Sequence, residues 1–347
     1  LNEKELPEIG GKGRNLYRLQ QICSVPEWVA LPTAGFSDCL ESGNLSETIK
    51  QKLDGLTSEN IGPRSKEIRN LILRTKLPEV LNQELQSVFP DTFVSVRSSA
   101  ADEDGSKHSF AGIHESYLFI TGAASIAEHI KKVWASGYQE RALLYRRENE
   151  LQLHPVPMAV MIQRMVEAQT SGVVFTADPS TQNPHTMIIS ALYGLGEGLV
   201  SAGLDADHVE YSKRSGAFLS TIVTKETRFI FDKERGSGLK EVSVENTLQE
   251  KPALNDAQLQ QVAAVAMDIE NACGCPQDIE FCFDESGKLF ILQARDITTV
   301  EEYGPAAGNR QVWDNSNIIE SYSGVTSPMT FSFIRHAYAV VYTCFSE

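Results

Sequence analysis

The sequence predicts an α+β protein, in which mainly helical and mainly strand-forming stretches occupy different parts of the chain. Three observations support this class. Residues 44–89 and 125–151 carry apolar side chains at helical spacing. Residues 157–226 contain buried or alternating runs typical of strands. A further strand hairpin, residues 277–295, follows one long amphipathic helix.

The composition is that of an ordinary globular protein and excludes several classes. The chain has 347 residues, 41% hydrophobic and 22% charged, enough for one large or two medium domains. A formal charge of -15 disfavours nucleic-acid or anionic-membrane partners, which select basic surfaces. No run reaches the roughly 18 apolar residues that span a bilayer. Since the six cysteines contain no CxxC pair, reduced thiols in a cytoplasmic protein are expected.

The N-terminal half is predicted to be mainly helical. A helix is predicted to follow the motif GGKG at residues 10–13. The lysine of this motif, Lys12, either contacts an anion or is a solvated residue at the helix start. The spacing of a Walker A loop is absent, so a P-loop is rejected. Proline-punctuated residues 25–32 are extended, and Pro78 interrupts the helices of residues 44–89. Two helices are expected within residues 125–151, with a solvated basic face.

That basic face consists of Arg141, Arg146 and Arg147. Residues 157–176 follow, with an apolar strand, a polar turn at 168–171 and a second strand, which together predict a β-hairpin. Gln163 interrupts the apolar strand. Two interpretations of this amide stay open: a core hydrogen bond to the backbone, or a position beside a ligand.

Strand and helix signals continue to residue 276. A buried strand is predicted at residues 187–192 and a hairpin at residues 208–226. Between them, the motif GLGEGLV at residues 194–200 predicts a tight turn from a strand into a helix. A long helix is expected between Asn255, its N-cap, and Gly274, its stop.

The most distinctive stretch runs from Val94 to Ile120. An alternating strand carries Arg97 and the hydroxyls of Ser98 and Ser99, and an acidic run and a glycine turn follow. Because glycine allows close approach of the backbone and hydroxyls suit phosphate oxygens, this stretch is interpreted as a phosphate cradle. An ordinary surface loop is the alternative.

A second group of polar residues lies on the terminal hairpin. A four-residue turn at residues 284–287 would pair Phe283 with Lys288 and bring Asp278, Glu280, Gln293 and Arg295 to one face. Glu280 and Gln293 would be diagonal neighbours, about 7 to 8 Å apart, whose oxygens suit Mg²⁺. Arg295 would contact a phosphate. The alternative is an exposed polar face with a surface ion pair.

These motifs together resemble one family. The motifs occur along the chain in the same order as in that family. They are GGKGRNL (10–16), VRSSAADEDGSKHSFAGIHESYL (96–118), FTADP (175–179) and DIEF with LFILQARDIT (278–281 and 289–298). They resemble the ATP-binding domain of phosphoenolpyruvate synthase, pyruvate phosphate dikinase and rifampin phosphotransferase. The resemblance covers roughly residues 8–299 and implies an ATP-grasp-like fold with two lobes closing over ATP. Asp296 replaces the usual proline, and Ser116 the usual threonine.

The resemblance also implies which residues hold the nucleotide and the magnesium ion. The ATP ligands would be Lys12, Arg97, Gly112, Ser116, Gln163, Glu280, Gln293 and Arg295. Within this set, Glu280 and Gln293 would bind Mg²⁺, while Arg97 and Arg295 would act catalytically on the transferring group. Arg97 and Glu280 are therefore expected to share one cleft.

In this family the domain passes a phosphoryl group to a histidine on a swivelling domain, which delivers it to an acceptor domain of the same protein. The seven histidines of this chain lack the TSHAA-like context of that carrier, so the chain is expected to be a fragment. The expected layout is a nucleotide-binding domain at 1–299, a linker at 300–311 and the start of a mostly helical domain at 312–347.

Three functions are compatible with these patterns. The leading hypothesis is the ATP-binding, phosphoryl-donating domain of a phosphoenolpyruvate synthase-type dikinase, which converts ATP, pyruvate and water to phosphoenolpyruvate, AMP and phosphate. A rifampin phosphotransferase-like antibiotic kinase is the first alternative, because residues 313–345 resemble the start of the acceptor domain in such proteins. A non-catalytic nucleotide-binding module is the second.

Overall fold

A computed structural model of the chain describes residues 6–57, 59–100, 116–156, 158–200, 203–235 and 238–297. All of them belong to one unit, Leu1–Glu301. The segments predicted as linker and as the start of a helical domain, 300–311 and 312–347, lie outside the described residues. These boundaries therefore stay predictions.

The first lobe consists of a four-stranded antiparallel sheet with strand order β1-β4-β2-β3 and the helices packed on it. A 3-10 helix, Leu6–Ile9, and α1, Gly10–Leu19, precede this lobe. Its elements are β1 Trp28–Leu31, α2 Thr33–Ser42, α3 Ser46–Leu53, α4 Ile61–Leu73, α5 Glu79–Val88, β2 Val94–Ala100, β3 Ser116–Ile120, α6 Ala123–Ser136, α7 Glu140–Glu148 and β4 Met158–Arg164.

The apolar periodicity explains the packing of this lobe. Ile126, Ile130 and Val133 recur at helical spacing in α6 and are fully buried. Alternate residues of β4, such as Val160 and Ile162, join the same core. As expected for a strand covered on both faces, six of its seven residues are buried.

The second lobe is a six-stranded sheet with strand order β12-β11-β5-β6-β7-β8, covered by α9. A separate two-stranded ribbon, β9 and β10, completes it. The elements are β5 Ala168–Phe175, β6 Thr186–Tyr193, the short α8 Glu197–Val200, β7 Asp207–Ser212, β8 Phe218–Thr221, β9 Thr227–Phe231, β10 Leu239–Ser243, α9 Asp256–Cys273, β11 Gln277–Asp284 and β12 Leu289–Asp296.

Helix α9 begins and ends where the sequence predicts. The side chain of Asn255 accepts a hydrogen bond from the Gln258 backbone, and the Gln258 side chain accepts one from the Asn255 backbone, which forms a capping box. Gly274 ends the helix with φ 74°, a left-handed conformation that glycine adopts without steric cost.

The predicted hairpin of residues 157–176 is wrong, although both of its strands exist. β4 pairs with β1 and β2 in the first sheet, whereas β5 pairs with β6 and β11 in the second. Residues 168–171, expected as a turn, belong to β5. Residues 165–167 therefore connect the lobes instead of closing a hairpin.

The predicted solvated basic face of α7 is also wrong in part. Arg146 is 1% exposed, and its Nε donates a hydrogen bond to the Gln152 carbonyl at 2.7 Å. The guanidinium thereby binds the loop that follows α7, a structural role that a run of basic residues does not reveal.

Two findings concern the cysteines and membrane insertion. The cysteines within the described ranges are free thiols. In the same part of the chain, no helix is long and apolar enough to span a bilayer.

Candidate nucleotide site between the two lobes

A cavity of about 110 Å³ lies between the two sheets and receives side chains from both of them. The first lobe contributes Ser95, Arg97, Leu118, Phe119 and Gln163, and the second contributes residues of β5, β11 and β12. A smaller cavity of about 10 Å³ adjoins these residues and is lined by Lys12, Arg97, Gln163 and Gln293, among others. The predicted α+β class is confirmed, and so is the organisation in two lobes.

Arg97 is the central cation of this cleft. It projects from β2, with its side chain 21% exposed, and its Nη2 lies 3.8 Å from Oε2 of Glu280 on β11. Nη1 donates a long hydrogen bond of 3.4 Å to Oε1 of Gln293 on β12. Nε is buried and has no hydrogen-bond partner among the described residues. Arg97 thus faces the opposite lobe with unused hydrogen-bonding capacity.

The hairpin of β11 and β12 carries the second half of the site, in a register that differs from the predicted one. Phe283 pairs with Leu289 instead of Lys288, and a β-bulge follows Glu280. Glu280 is therefore directly opposite Gln293, and Asp278 is directly opposite Arg295. The predicted diagonal arrangement is wrong, but all four side chains still share one face.

The bulge has a consequence for Gln163, for which two interpretations were open. Its side chain is 4% exposed, lines both cavities, and donates to the Leu292 carbonyl at 3.4 Å. Leu292 is the unpaired residue between Ile291 and Gln293. Gln163 therefore makes a backbone hydrogen bond and also lies in the cleft, so the two interpretations are compatible.

Arg295 lies at the exposed end of the hairpin. Its Nε and Nη2 contact Oδ2 of Asp278 at 2.7 and 2.6 Å. Burial raises the pKa of the Asp278 carboxyl, and the guanidinium of Arg295 opposes that rise. Since the Arg295 side chain is 59% exposed, part of it remains accessible to a ligand.

The interpretation of Ser98 and Ser99 as phosphate ligands is wrong, as their burial and the contacts at the N-terminus of α1 show. Ser98 and Ser99 are 2% and 0% exposed. Oγ of Ser99 donates to the Ile9 carbonyl at 2.7 Å and accepts from the Gly13 backbone N–H at 3.2 Å. Ser99 therefore joins β2 to α1, and the Gly13 amide is used within the protein.

The same contact positions Lys12, which is half-buried and lines the smaller cavity. Gly10 has φ 68°, and an added Cβ would lie 2.1 Å from the Ser99 carbonyl oxygen. Only glycine allows α1 to approach β2 this closely. The GGKG motif thus serves helix packing, and the packing brings its lysine to the cleft.

Two further predicted ligands are Gly112 and Ser116. Gly112 lies outside the described residues. Ser116 is the exposed first residue of β3 and pairs with Arg97 in the sheet, so both side chains leave the same face.

Glu197 is a site residue that the sequence analysis missed. It begins α8 within the GLGEGLV stretch, which was interpreted only as a tight turn, and it lines the larger cavity. Burial raises the pKa of its carboxyl, Arg97 opposes that rise, and Glu280 adds to it. A glutamate next to glycines at a strand end was the available signal.

The oxygen donors for a metal are few. Across the described ranges, no cluster of three or more His, Cys, Asp or Glu side chains is arranged to hold a metal ion. Glu280 and Gln293 are nevertheless adjacent and both supply oxygen atoms. Mg²⁺ commonly takes one or two protein carboxylates and completes its shell with phosphate and water. This pair fits such a partial site.

Comparison with known proteins shows the family of this chain. Residues 6–311 match the model of the pyruvate phosphate dikinase AMP/ATP-binding domain. Rifampicin phosphotransferase of Bacillus cereus is 36% identical, over 86% of this chain and 35% of that protein. Phosphoenolpyruvate synthase of Pyrococcus furiosus is 30% identical, over 92% and 45%.

A solved D-alanyl-alanine synthetase A from Vibrio cholerae shares 11% identity over 84% of this chain and 56% of that one, with a TM-score of 0.32. The chain spans 35% of the Bacillus cereus relative. The match to the family model extends over all of the described residues. This chain therefore belongs to the pyruvate phosphate dikinase AMP/ATP-binding domain family.

Proposed function

We propose that this chain is the ATP-binding, phosphoryl-donating domain of a phosphoenolpyruvate synthase-type dikinase. The observation that carries the proposal is the position of Arg97. Its guanidinium faces Glu280 and Gln293 of the other lobe at 3.8 and 3.4 Å. It also keeps a buried Nε without a partner in the described part of the chain. A phosphate oxygen would satisfy that donor.

The cleft offers different chemistry along its length. Leu118, Met165 and Leu195 supply apolar surface at one end, which suits a nucleoside base. Lys12, Arg97 and Gln293 line the adjoining small cavity, which suits phosphate oxygens. We assign ATP to this cleft, with Gln163 between the two ends and Gly112 and Ser116 completing the phosphate contacts.

Glu280 and Gln293 would hold Mg²⁺ through their side-chain oxygens. The ion would neutralise phosphate charge when bound. The residues of the chain do the remainder: Arg97 and Arg295 balance negative charge on the transferring group, and Lys12 orients the phosphates. The protonation of Glu197 also matters, because a neutral carboxyl would donate a hydrogen bond to a ligand in the cleft.

The reaction needs no general base on this domain. In the proposed overall conversion, pyruvate and water each receive one phosphoryl group from ATP, and phosphoenolpyruvate, phosphate and AMP remain. A phosphohistidine on the separate swivelling domain carries the group to pyruvate. Positioning and charge neutralisation account for most of the catalysis in such transfers.

One observation favours a second candidate function. The Bacillus cereus relative, at 36% identity, is a rifampicin phosphotransferase, whereas the Pyrococcus furiosus phosphoenolpyruvate synthase is 30% identical. The same ATP cleft would then donate its phosphoryl group to an antibiotic. The swivelling domain and the acceptor domain of the full-length protein would differ, while the roles proposed for Arg97 and Glu280 would not.

The test is transfer of label from ATP to a supplied carrier domain. We expect a phosphohistidine to form with the wild type and Mg²⁺, and to fall strongly with Glu280→Gln, which keeps the side-chain size but removes the charge. Pyruvate should then discharge the carrier to phosphoenolpyruvate. Discharge to rifampicin instead would establish the second candidate. Nucleotide binding without any transfer would identify a non-catalytic nucleotide-binding module.

A further inference from the structure

Four phenylalanines, Phe93, Phe119, Phe229 and Phe231, form a cluster beside the apolar end of the cleft, which Phe119 lines. The ring of Phe231 lies 4.0 Å from that of Phe93 between centroids, at an interplanar angle of 49°. The same ring stacks on that of Phe119 at 4.9 Å and 25°. Phe229 and Leu195 also belong to this cluster, which is separate from the two main cores.

The cluster joins the two lobes. Phe119 belongs to β3 and Phe93 directly precedes β2, so both are part of the first lobe. Phe231 is on β9, whose carbonyl at Phe229 accepts a hydrogen bond from the Leu195 backbone at 2.9 Å. The ribbon of β9 and β10 is thereby attached to the second lobe, and Phe231 reaches across to the first.

Phe119 has an unusual backbone. Its φ is 57°, in the left-handed region that a bulky residue rarely adopts. Its backbone N–H donates to Sδ of Met165 at 3.1 Å, and Met165 lies on the connection between the lobes. Both residues line the larger cavity. A conformation of this kind persists where the surrounding packing holds it in place.

We propose that Phe93, Phe119 and Phe231 form an inter-lobe latch that sets the width of the cleft at its apolar end, with Phe119 as the positioning residue. The latch holds Phe119 and Met165 at the spacing that a nucleoside base requires. This inference rests on the proposed function, since it takes the ligand to be a nucleotide. It adds a specific consequence: the latch acts on the base end and not on the phosphate end.

The test compares adenosine, ADP and ATP by calorimetry. Phe231→Leu keeps an apolar side chain but removes the stacked ring, and we expect it to weaken all three ligands by the same factor, about two- to tenfold. Phe218→Leu is the matched control, because Phe218 is on the edge strand β8 and its ring lies 4.7 Å from that of Tyr211 between centroids, tilted by 38°. That variant should leave all three affinities unchanged.

Three outcomes decide the proposal. Equal weakening of the three ligands supports it. Unchanged affinities with a lower unfolding midpoint would reduce the cluster to a structural role and overturn it. Weakening of ATP alone would place the effect at the phosphates and would overturn it as well.

If the wild type binds no nucleotide, the proposed function is refuted, and the binding experiment gives no information about the latch. Hydrogen exchange of the nucleotide-free protein then gives the decision. Phe231→Leu should speed exchange at the amide of Phe119, whose acceptor is the Met165 sulfur. Unchanged exchange there would overturn the latch.

Discussion

Replacing Gly10 by alanine should destabilise the protein far more than a single methyl group suggests. The left-handed backbone at φ 68° costs an alanine about 1 to 2 kcal/mol. In addition, the new Cβ would lie 2.1 Å from the Ser99 carbonyl oxygen, where real Cβ atoms stay beyond 3.0 Å. The difference, 3.0 − 2.1 Å, requires α1 and β2 to separate by roughly 0.9 Å.

That separation weakens the two buried hydrogen bonds of Ser99, to Ile9 and Gly13, each contributing about 1 kcal/mol. The expected loss in the free energy of unfolding is therefore about 3 to 4 kcal/mol. Urea denaturation measures it. Gly55→Ala is the matched control, because Gly55 has φ 65° and no atom within 4 Å of an added Cβ. Equal losses in the two variants would refute the close-approach argument.

Three further predictions concern ionisable groups. Lys225→Met should cost about 3 to 5 kcal/mol in urea denaturation, because it leaves the buried carboxylate of Asp207 without the ammonium group now 2.6 Å away. Burial lowers the pKa of His154, so its contribution to stability is complete above pH 6.5 and is lost as the pH falls towards the folded-state pKa. The urea concentration at the unfolding midpoint should therefore decrease as the pH is lowered below 6.5. This decrease should be larger in the wild type than in His154→Gln. Arg97→Leu should raise the pKa of Glu197 further, as followed by NMR titration, because it removes the cation that opposes the rise.

Each of these has its own control or contrary result. Lys233→Met removes an exposed pair with Glu167, both side chains being 69% exposed, and should change stability little. A similar loss for Lys225→Met and Lys233→Met would contradict the role of burial. An unchanged pH dependence in His154→Gln would exclude His154 as a source of the acid sensitivity. If the pKa of Glu197 is the same in the wild type and in Arg97→Leu, the two groups do not interact.

The sequence predicted the helices and strands well but not how the strands pair. Two apolar runs separated by a short polar segment indicated a hairpin at residues 157–176, yet β4 and β5 lie in different sheets. Local patterns report the period of a strand and not its partner, because pairing depends on contacts distant in the chain. Hence the connection at residues 165–167, of which Met165 and Val166 line the cleft, was not predicted.

Arg97, Gln163, Glu280 and Gln293, which the motifs singled out, all line the cleft, but the sequence did not predict their geometry. The side-chain alternation put Glu280 and Gln293 on one face, but the β-bulge moved them from diagonal to opposite positions. A bulge adds one residue without a strong sequence signal. Similarly, the sequence suggested the hydroxyl of Ser99 as a phosphate ligand, whereas in the structure it forms hydrogen bonds with the backbone of Ile9 and Gly13.

We expect a nucleoside triphosphate to bind between the lobes against Arg97. Calorimetric titration of Mg·ATP into the wild type and Arg97→Ala tests it most directly. Losing hydrogen bonds from a charged donor should weaken ATP by about 10- to 100-fold and leave adenosine nearly unaffected. No heat with the wild type, or equal ATP affinity in the two proteins, would contradict the account.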